Sequence, residues 1–121
     1  MTTVLVVDDE FDILEALKGL LELEGYRVLG ASNGAQALSA MRQTTPDLVL
    51  ADLMMPVMDG LELLKAMGAD ERLSRVPVVL MSALQPKVSQ QEYGWRAFLQ
   101  KPFDLDALLA LVKQHAGAAR D

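Results

Sequence analysis

Val4-Leu5-Val6-Val7 runs directly into Asp8-Asp9-Glu10, and this change from apolar to acidic sets the reading of the whole chain. A short continuous apolar run, without the alternation of a half-exposed strand, predicts a strand covered on both faces. The pattern recurs at Val28 to Ala31, Leu48 to Ala51 and Val78 to Met81, with a weaker run at Ala97 to Leu99. Between the runs the apolar period becomes helical. Ile13, Leu14, Leu17, Leu20 and Leu21 form one stripe, Ala37, Leu38 and Met41 a second, Leu63, Leu64 and Met67 a third, and Leu105, Leu108, Leu109 and Val112 a fourth. Punctuation agrees: Gly25 follows the first helical stretch, Asn33 and Asp104 stand at cap positions, and Pro46 and Pro77 lead into strands.

Strand and helix thus alternate five times, which predicts a parallel five-stranded sheet with right-handed crossovers and helices on both faces. The expected fold class is α/β, a flavodoxin-like (βα)5 three-layer sandwich with strand order 2-1-3-4-5, and that order places ligands at the carboxyl ends of the strands. The chain of 121 residues is expected to be one domain, with no output domain attached. A net charge of −6 argues against direct nucleic-acid binding. The absence of cysteine removes thiolate catalysis and cysteine-ligated metals, and the single His115 cannot build a multi-histidine site. No apolar run is long enough for a membrane span, and Met1-Thr2-Thr3 lacks a charged signal-peptide start, so a cytoplasmic location is expected.

At the predicted carboxyl edge stand Asp8-Asp9-Glu10 after strand 1, Asp52 after strand 3, Ser82 after strand 4 and Lys101-Pro102 after strand 5. Five carboxylates and no basic residue lie between Asp8 and Glu15, a crowding that a hard cation such as Mg²⁺ relieves, with Asp8, Asp9 and Asp52 as a sufficient oxygen set. A blander account is open for each residue. Asp8 or Asp9 caps helix 1 while Glu10, Asp12 and Glu15 complement its dipole; Lys101 is a structural counter-ion; Ser82 is a turn residue; Phe98 and the methionines Met54, Met55 and Met58 are packing.

Asp52 opens Asp52-Leu53-Met54-Met55-Pro56-Val57-Met58-Asp59-Gly60. With the acidic pair, Ser82-Ala83 and Lys101-Pro102-Phe103 in the same order, the chain resembles a response-regulator receiver domain over essentially its whole length. The resemblance implies that Asp52 is the phosphoacceptor for a sensor histidine kinase or phosphotransfer protein. It implies that Mg²⁺ is held by Asp9 directly, by Asp8 through water, and by Asp52 and the Met54 carbonyl. Lys101 would pair with a phosphoryl oxygen across a cis bond to Pro102, Ser82 would donate its hydroxyl, and Phe98 would turn inward as that hydroxyl moves. A downstream protein would bind the face made by helix 4, strand 5 and helix 5.

Other functions fit less well. A haloacid dehalogenase-type phosphatase wants an aspartate where Met54 stands, a flavodoxin-like cofactor carrier would find its phosphate repelled by Asp8-Asp9-Glu10, and no Walker-type loop occurs. A degenerate receiver used only for binding would lack an acid or the lysine; none is lost here.

One segment departs from the family. Only 18 residues separate Ser82 from Lys101, so helix 4 must be short. From Pro86 to Tyr93 there is room for about two turns. With Val88 and Tyr93 as its only large apolar residues it is expected to be marginal, to make residues 84 to 95 the most mobile stretch, and to leave Trp95 on the partner surface. Beyond helix 5 only Gly117 to Asp121 remain.

Overall fold

The computed structural model describes residues 1–117; of the tail predicted after helix 5, residues 118–121 lie outside the described part. The elements follow in the expected order: β1 (Thr3–Val7), α1 (Phe11–Leu23), β2 (Arg27–Ala31), α2 (Gly34–Gln43), β3 (Leu48–Asp52), α3 (Gly60–Gly68), β4 (Val78–Ser82), α4 (Gln90–Tyr93), β5 (Ala97–Gln100) and α5 (Leu105–Ala116). A single turn of 3₁₀ helix, Leu73–Arg75, precedes β4. The strands form one parallel sheet in the order β2-β1-β3-β4-β5, as the sequence predicts.

The continuous apolar runs are explained by layers on both faces. Leu5, Val7, Val49, Ala51, Val78 and Leu80 point into one core, under α2 and α3. Their sequence neighbours Val4, Val6, Leu48, Leu50, Val79 and Met81 point the other way, into a core closed by Leu17 and Leu21 of α1 and Leu108 and Val112 of α5. Side chains alternate across a strand, so only apolar residues at consecutive positions can serve two cores. Caps hold the helix starts: Asn33 accepts from the Gln36 N–H, and Asp104 from the Asp106 N–H. Among the described residues no helix is long and apolar enough to cross a membrane.

Two expectations are corrected. α4 is a single turn, not two: Pro86 lies in the preceding loop, Ser89 caps the helix, and Gly94 ends it at φ 83°. A turn this short carries too little apolar surface to propagate further. Trp95 is 7% exposed and belongs to the core under α2 and α3, so it is not a surface residue. Its indole is apolar area that the small face of α4 cannot supply.

Candidate functional site

Four strands deliver their ends to one edge. The Asp8 N–H continues the β1 ladder to the Ala31 carbonyl at 3.1 Å, and the Lys101 N–H continues that of β5 to the Ser82 carbonyl at 2.8 Å. Asp8 is completely buried, and Asp52 and Ser82 are 6% and 2% exposed. Carboxylates so placed demand partners. Lys101 Nζ donates to Asp8 Oδ2 at 3.0 Å and to Asp52 Oδ2 at 3.3 Å. The opposite oxygens are met by backbone: the Glu10 N–H donates to Asp8 Oδ1 at 2.9 Å and the Met54 N–H to Asp52 Oδ1 at 3.3 Å. Ser82 Oγ accepts from the Leu84 N–H at 3.1 Å and lines the same cleft, of about 260 Å³. The peptide joining Lys101 to Pro102 is cis, as the resemblance implies.

One ammonium does not balance this site. Asp8, Glu10 and Asp52 each bring a carboxylate oxygen within 4.8 Å of the others. Burial pushes the Asp52 carboxyl above the ordinary carboxylate range, the Lys101 charge works against that rise, and Asp8 adds to it. For Lys101, burial pulls the ammonium down, but the Asp8 hydrogen bond and the two carboxylate charges outweigh it and leave it above its usual value. A hard divalent cation fits such a donor set, since Mg²⁺ takes oxygen ligands from one or two carboxylates and keeps several waters.

Of the residues singled out from the sequence, Asp8, Asp52, Ser82 and Lys101 converge. Asp9 is exposed at the mouth of the cleft and its carboxylate is not in the close set. Glu10 is, although the sequence reading put it at this edge among the crowded acids without naming it in the oxygen set for the ion. The capping account of the acidic pair does not hold: Glu10 is the N-cap of α1 and no side chain caps that helix. Met54 and Leu84, 64% and 67% exposed, form apolar lips on the cleft. Phe98 is half-buried and packs on the core under α2 and α3, outside the cleft.

The segment after Asp52 holds the acid in place. Asp59 accepts from the Glu62 N–H at 2.9 Å while Glu62 accepts from the Asp59 N–H at 3.1 Å, a capping box that starts α3. The Gly60 N–H donates to the Leu53 carbonyl at 2.9 Å. A Cβ on Gly60 would stand 2.7 Å from the Asp52 carbonyl oxygen, so only glycine lets α3 begin this close to the strand end. Val57 is held at φ 68°, where a β-branched residue is strained, with the Met58 N–H on the Pro56 carbonyl at 2.7 Å. Two apolar grooves flank the cleft. One, of about 410 Å³, lies between Ile13, Ala16 and Leu17 of α1 and Pro102, Phe103 and Leu105. The other, of about 540 Å³, lies between Leu53 and Leu61 on one side and Leu84, Pro86 and Val88 on the other.

Known proteins are similar to this chain in sequence and in fold. The chain is 36% identical over 113 residues to sporulation initiation phosphotransferase F of Bacillus subtilis, covering 93% of this chain and 91% of that protein. It is 41% identical to the transcriptional regulatory protein PrrA of Mycobacterium leprae, but spans only 48% of that protein's length. Among solved structures, the chemotaxis protein CheY4 of Vibrio cholerae superposes with a TM-score of 0.88 at 30% identity over 95% of this chain and 98% of that one. The receiver domain of sensor histidine kinase PA1611 from Pseudomonas aeruginosa, which has a magnesium ion coordinated in its active-site cleft, gives 0.84 at 28% identity over 97% and 98%. The model of the response regulator receiver domain matches residues 4–113, and the chain belongs to that family of two-component signalling domains.

Proposed function

We propose that the protein accepts a phosphoryl group on Asp52 from a histidine kinase or phosphotransfer protein and signals by a contact that depends on it. The observation that carries this is Lys101 bridging Asp8 and Asp52 at 3.0 and 3.3 Å beside the Ser82 hydroxyl. That places a carboxylate nucleophile, a cation and a hydroxyl around one point, and phosphoryl transfer needs positioning and charge neutralisation above all. An Asp52 oxygen attacks phosphorus as the N–P bond of the phosphohistidine breaks. The bonding pair returns to the imidazole nitrogen, which takes up a proton, and an acyl phosphate remains on Asp52. Mg²⁺, when bound, offsets the charge of the phosphoryl oxygens and orients them. Asp8, Asp9, Asp52 and the Met54 carbonyl are the oxygens we assign to hold it.

Lys101 then exchanges its Asp52 contact for a phosphoryl oxygen, and the Ser82 hydroxyl, relieved of the Leu84 N–H, donates to another. Movement of Ser82 opens room into which Phe98 turns. The donor docks on the apolar groove between α1 and Phe103, which borders the cleft through Lys101. The output partner meets α4, β5 and α5. A donor charged from ATP places the protein in the cytoplasm. The apolar lips Met54 and Leu84 restrict the water that would hydrolyse the acyl phosphate.

Treatment with acetyl phosphate and Mg²⁺, followed by mass spectrometric mapping, is expected to label Asp52 and nothing else. Label on Asp59, which caps α3, or on Asp47, whose carboxylate accepts the Thr3 N–H at 2.8 Å, overturns the assignment.

A further inference from the structure

We infer that Gly34, at the start of α2, is a positioning residue for the reaction at Asp52: it latches the loop after β3 through Met58 and so keeps the Met54 N–H on the acceptor carboxylate. The inference rests on the reading of Asp52 as the phosphoacceptor. The Met54 N–H meets Asp52 Oδ1 at 3.3 Å, a contact that fixes how the carboxylate is turned, with Oδ2 left to Lys101. Met54 belongs to an excursion that leaves the sheet at Leu53, whose N–H donates to the Met81 carbonyl at 2.8 Å, and returns at Gly60. Within it Val57 is held at φ 68°, a conformation that persists only where the surroundings impose it. The Gly34 N–H imposes it, donating to the Met58 carbonyl at 2.9 Å. Among the described residues no other hydrogen bond ties residues 54 to 58 to an element beyond β3 and α3. The start of α2 is itself fixed. Asn33 Oδ1 accepts from the Gln36 N–H at 2.9 Å, and Gln36 Oε1 accepts from the Ser32 N–H at 3.0 Å and from its hydroxyl at 2.7 Å. Gly34 is buried, and a Cβ there would stand 2.6 Å from Met58 Cγ, 2.8 Å from the Met58 carbonyl oxygen and 2.9 Å from Met58 Sδ, so the latch closes only on glycine. The strand before this turn ends on the Ala31 carbonyl, which accepts from the Asp8 N–H at 3.1 Å. β2 brings no side chain to the cleft and yet steadies the chain beneath both of its buried aspartates.

The test labels the full chain with acetyl phosphate and Mg²⁺, follows the Asp52 adduct by mass spectrometry and reads the Met54 amide in ¹⁵N spectra. Gly34→Ala is expected to slow labelling about tenfold, since a misplacement of about 1 Å can cost about a hundredfold and the loop has to give by less. It is also expected to move the Met54 amide signal of the folded protein, which a mere loss of stability leaves in place. Met58→Ala removes Cγ and Sδ but keeps the carbonyl, and labels within about twofold of the wild type because the bond that orients the loop remains. The double variant leaves only the carbonyl oxygen against the new methyl, so its rate falls between the two, and it carries the test if Gly34→Ala does not fold. Gly19→Ala makes the same change in α1, where a Cβ meets nothing within 4 Å, and is expected to match the wild type. A Gly34→Ala protein that labels at the wild-type rate or keeps its Met54 signal overturns the role of Gly34 and leaves the phosphoacceptor reading intact. So does equal slowing in Gly19→Ala, or a double variant as fast as Met58→Ala. A wild type that takes no label on Asp52 sinks the phosphoacceptor reading itself.

Discussion

α3 and α4 lie on the same face of the sheet and are made in opposite ways. α3 has nine residues, a reciprocal capping box, and Leu63, Leu64 and Met67 buried in the core. α4 has four residues and no buried one; Ser89 Oγ accepts from the Glu92 N–H at 3.4 Å, and Gln90 reaches the Trp95 carbonyl at 2.8 Å. The first helix begins at the loop that follows Asp52, and the second at the loop that follows Ser82. On the proposed function, the first entry fixes the acid and the second yields, and the nine residues of α3 against the four of α4 are the contrast to test.

The rigid side breaks most visibly at Gly60. Gly60→Ala sets a methyl 2.7 Å from the Asp52 carbonyl oxygen and 3.0 Å from the Leu53 Cα, both backbone atoms with nowhere to go. We expect a loss of about 1–3 kcal/mol, the usual cost of overpacking, read by urea unfolding. Gly94→Ala, where a Cβ meets nothing within 4 Å but the backbone sits at φ 83°, costs about 1–2 kcal/mol and leaves Asp52 where it is. Phosphorylation by acetyl phosphate is expected to slow in the first variant and not in the second; equal rates dissolve the contrast.

A smaller effect tests the charge held by that rigid edge. Because burial raises the Asp52 carboxyl above its unfolded value, the folded state binds the extra proton. Stability from this group is fully present below the unfolded value and lost as pH rises through the raised one. At neutral pH without metal Asp52 is thus a liability. Discounted for the open cleft, Asp52→Asn in EDTA is expected to melt about 2–4 °C higher at pH 7. The gain shrinks as pH falls below the ordinary carboxylate range, and it is absent when saturating Mg²⁺ is present with the wild type. A gain that is constant with pH means the charge is not its source.

Val57 tests strain on the same side. A β-branched residue at φ 68° costs about 1–3 kcal/mol, and glycine there gives up about 0.5–1 kcal/mol of unfolded-state entropy. Val57 is 80% exposed, so its side chain forfeits little packing. Val57→Gly is expected to stabilise by about 1 kcal/mol, and a destabilised variant shows that the turn is not strained.

How much of this could be read beforehand follows from the kind of interaction involved. Both cores were legible because consecutive apolar residues, such as Leu48 with Val49 and Val78 with Val79, have no use on a one-sided sheet, and the strand order followed from the five-fold alternation of strand and helix. The convergence of Asp8, Asp52, Ser82 and Lys101 followed from strand ends alone. That Glu10 rather than Asp9 stands in the close set was not legible, because which acid at a helix start faces the site depends on backbone angles that spacing does not encode. Nor were the length of α4 and the burial of Trp95. Pro86 suits a first turn by propensity, but a helix of one turn is decided by the tertiary contacts available, and here the indole takes the core position.

The slightest effect lies in what fastens α4. Lys65 Nζ stands 5.6 Å from the centre of the Tyr93 ring, so the longer helix holds the shorter one by a cation over an aromatic face. An exposed pair of this kind contributes about 0.5–1 kcal/mol, which is about two- to fivefold in a local opening equilibrium. Lys65→Met keeps the apolar stem and removes the charge. A short helix that opens without the rest of the sheet shows such a loss only locally. Amide exchange across residues 84 to 95 is expected to quicken by that factor in Lys65→Met, with the exchange of α3 and the global unfolding midpoint unchanged. In the wild type the same amides are expected to exchange faster than those of α1, and to slow when beryllofluoride and Mg²⁺ engage Ser82. Should the 84 to 95 amides be as protected as α1 and indifferent to Lys65→Met, α4 is as firmly docked as its neighbour, and the yielding element of this receiver has to be sought elsewhere.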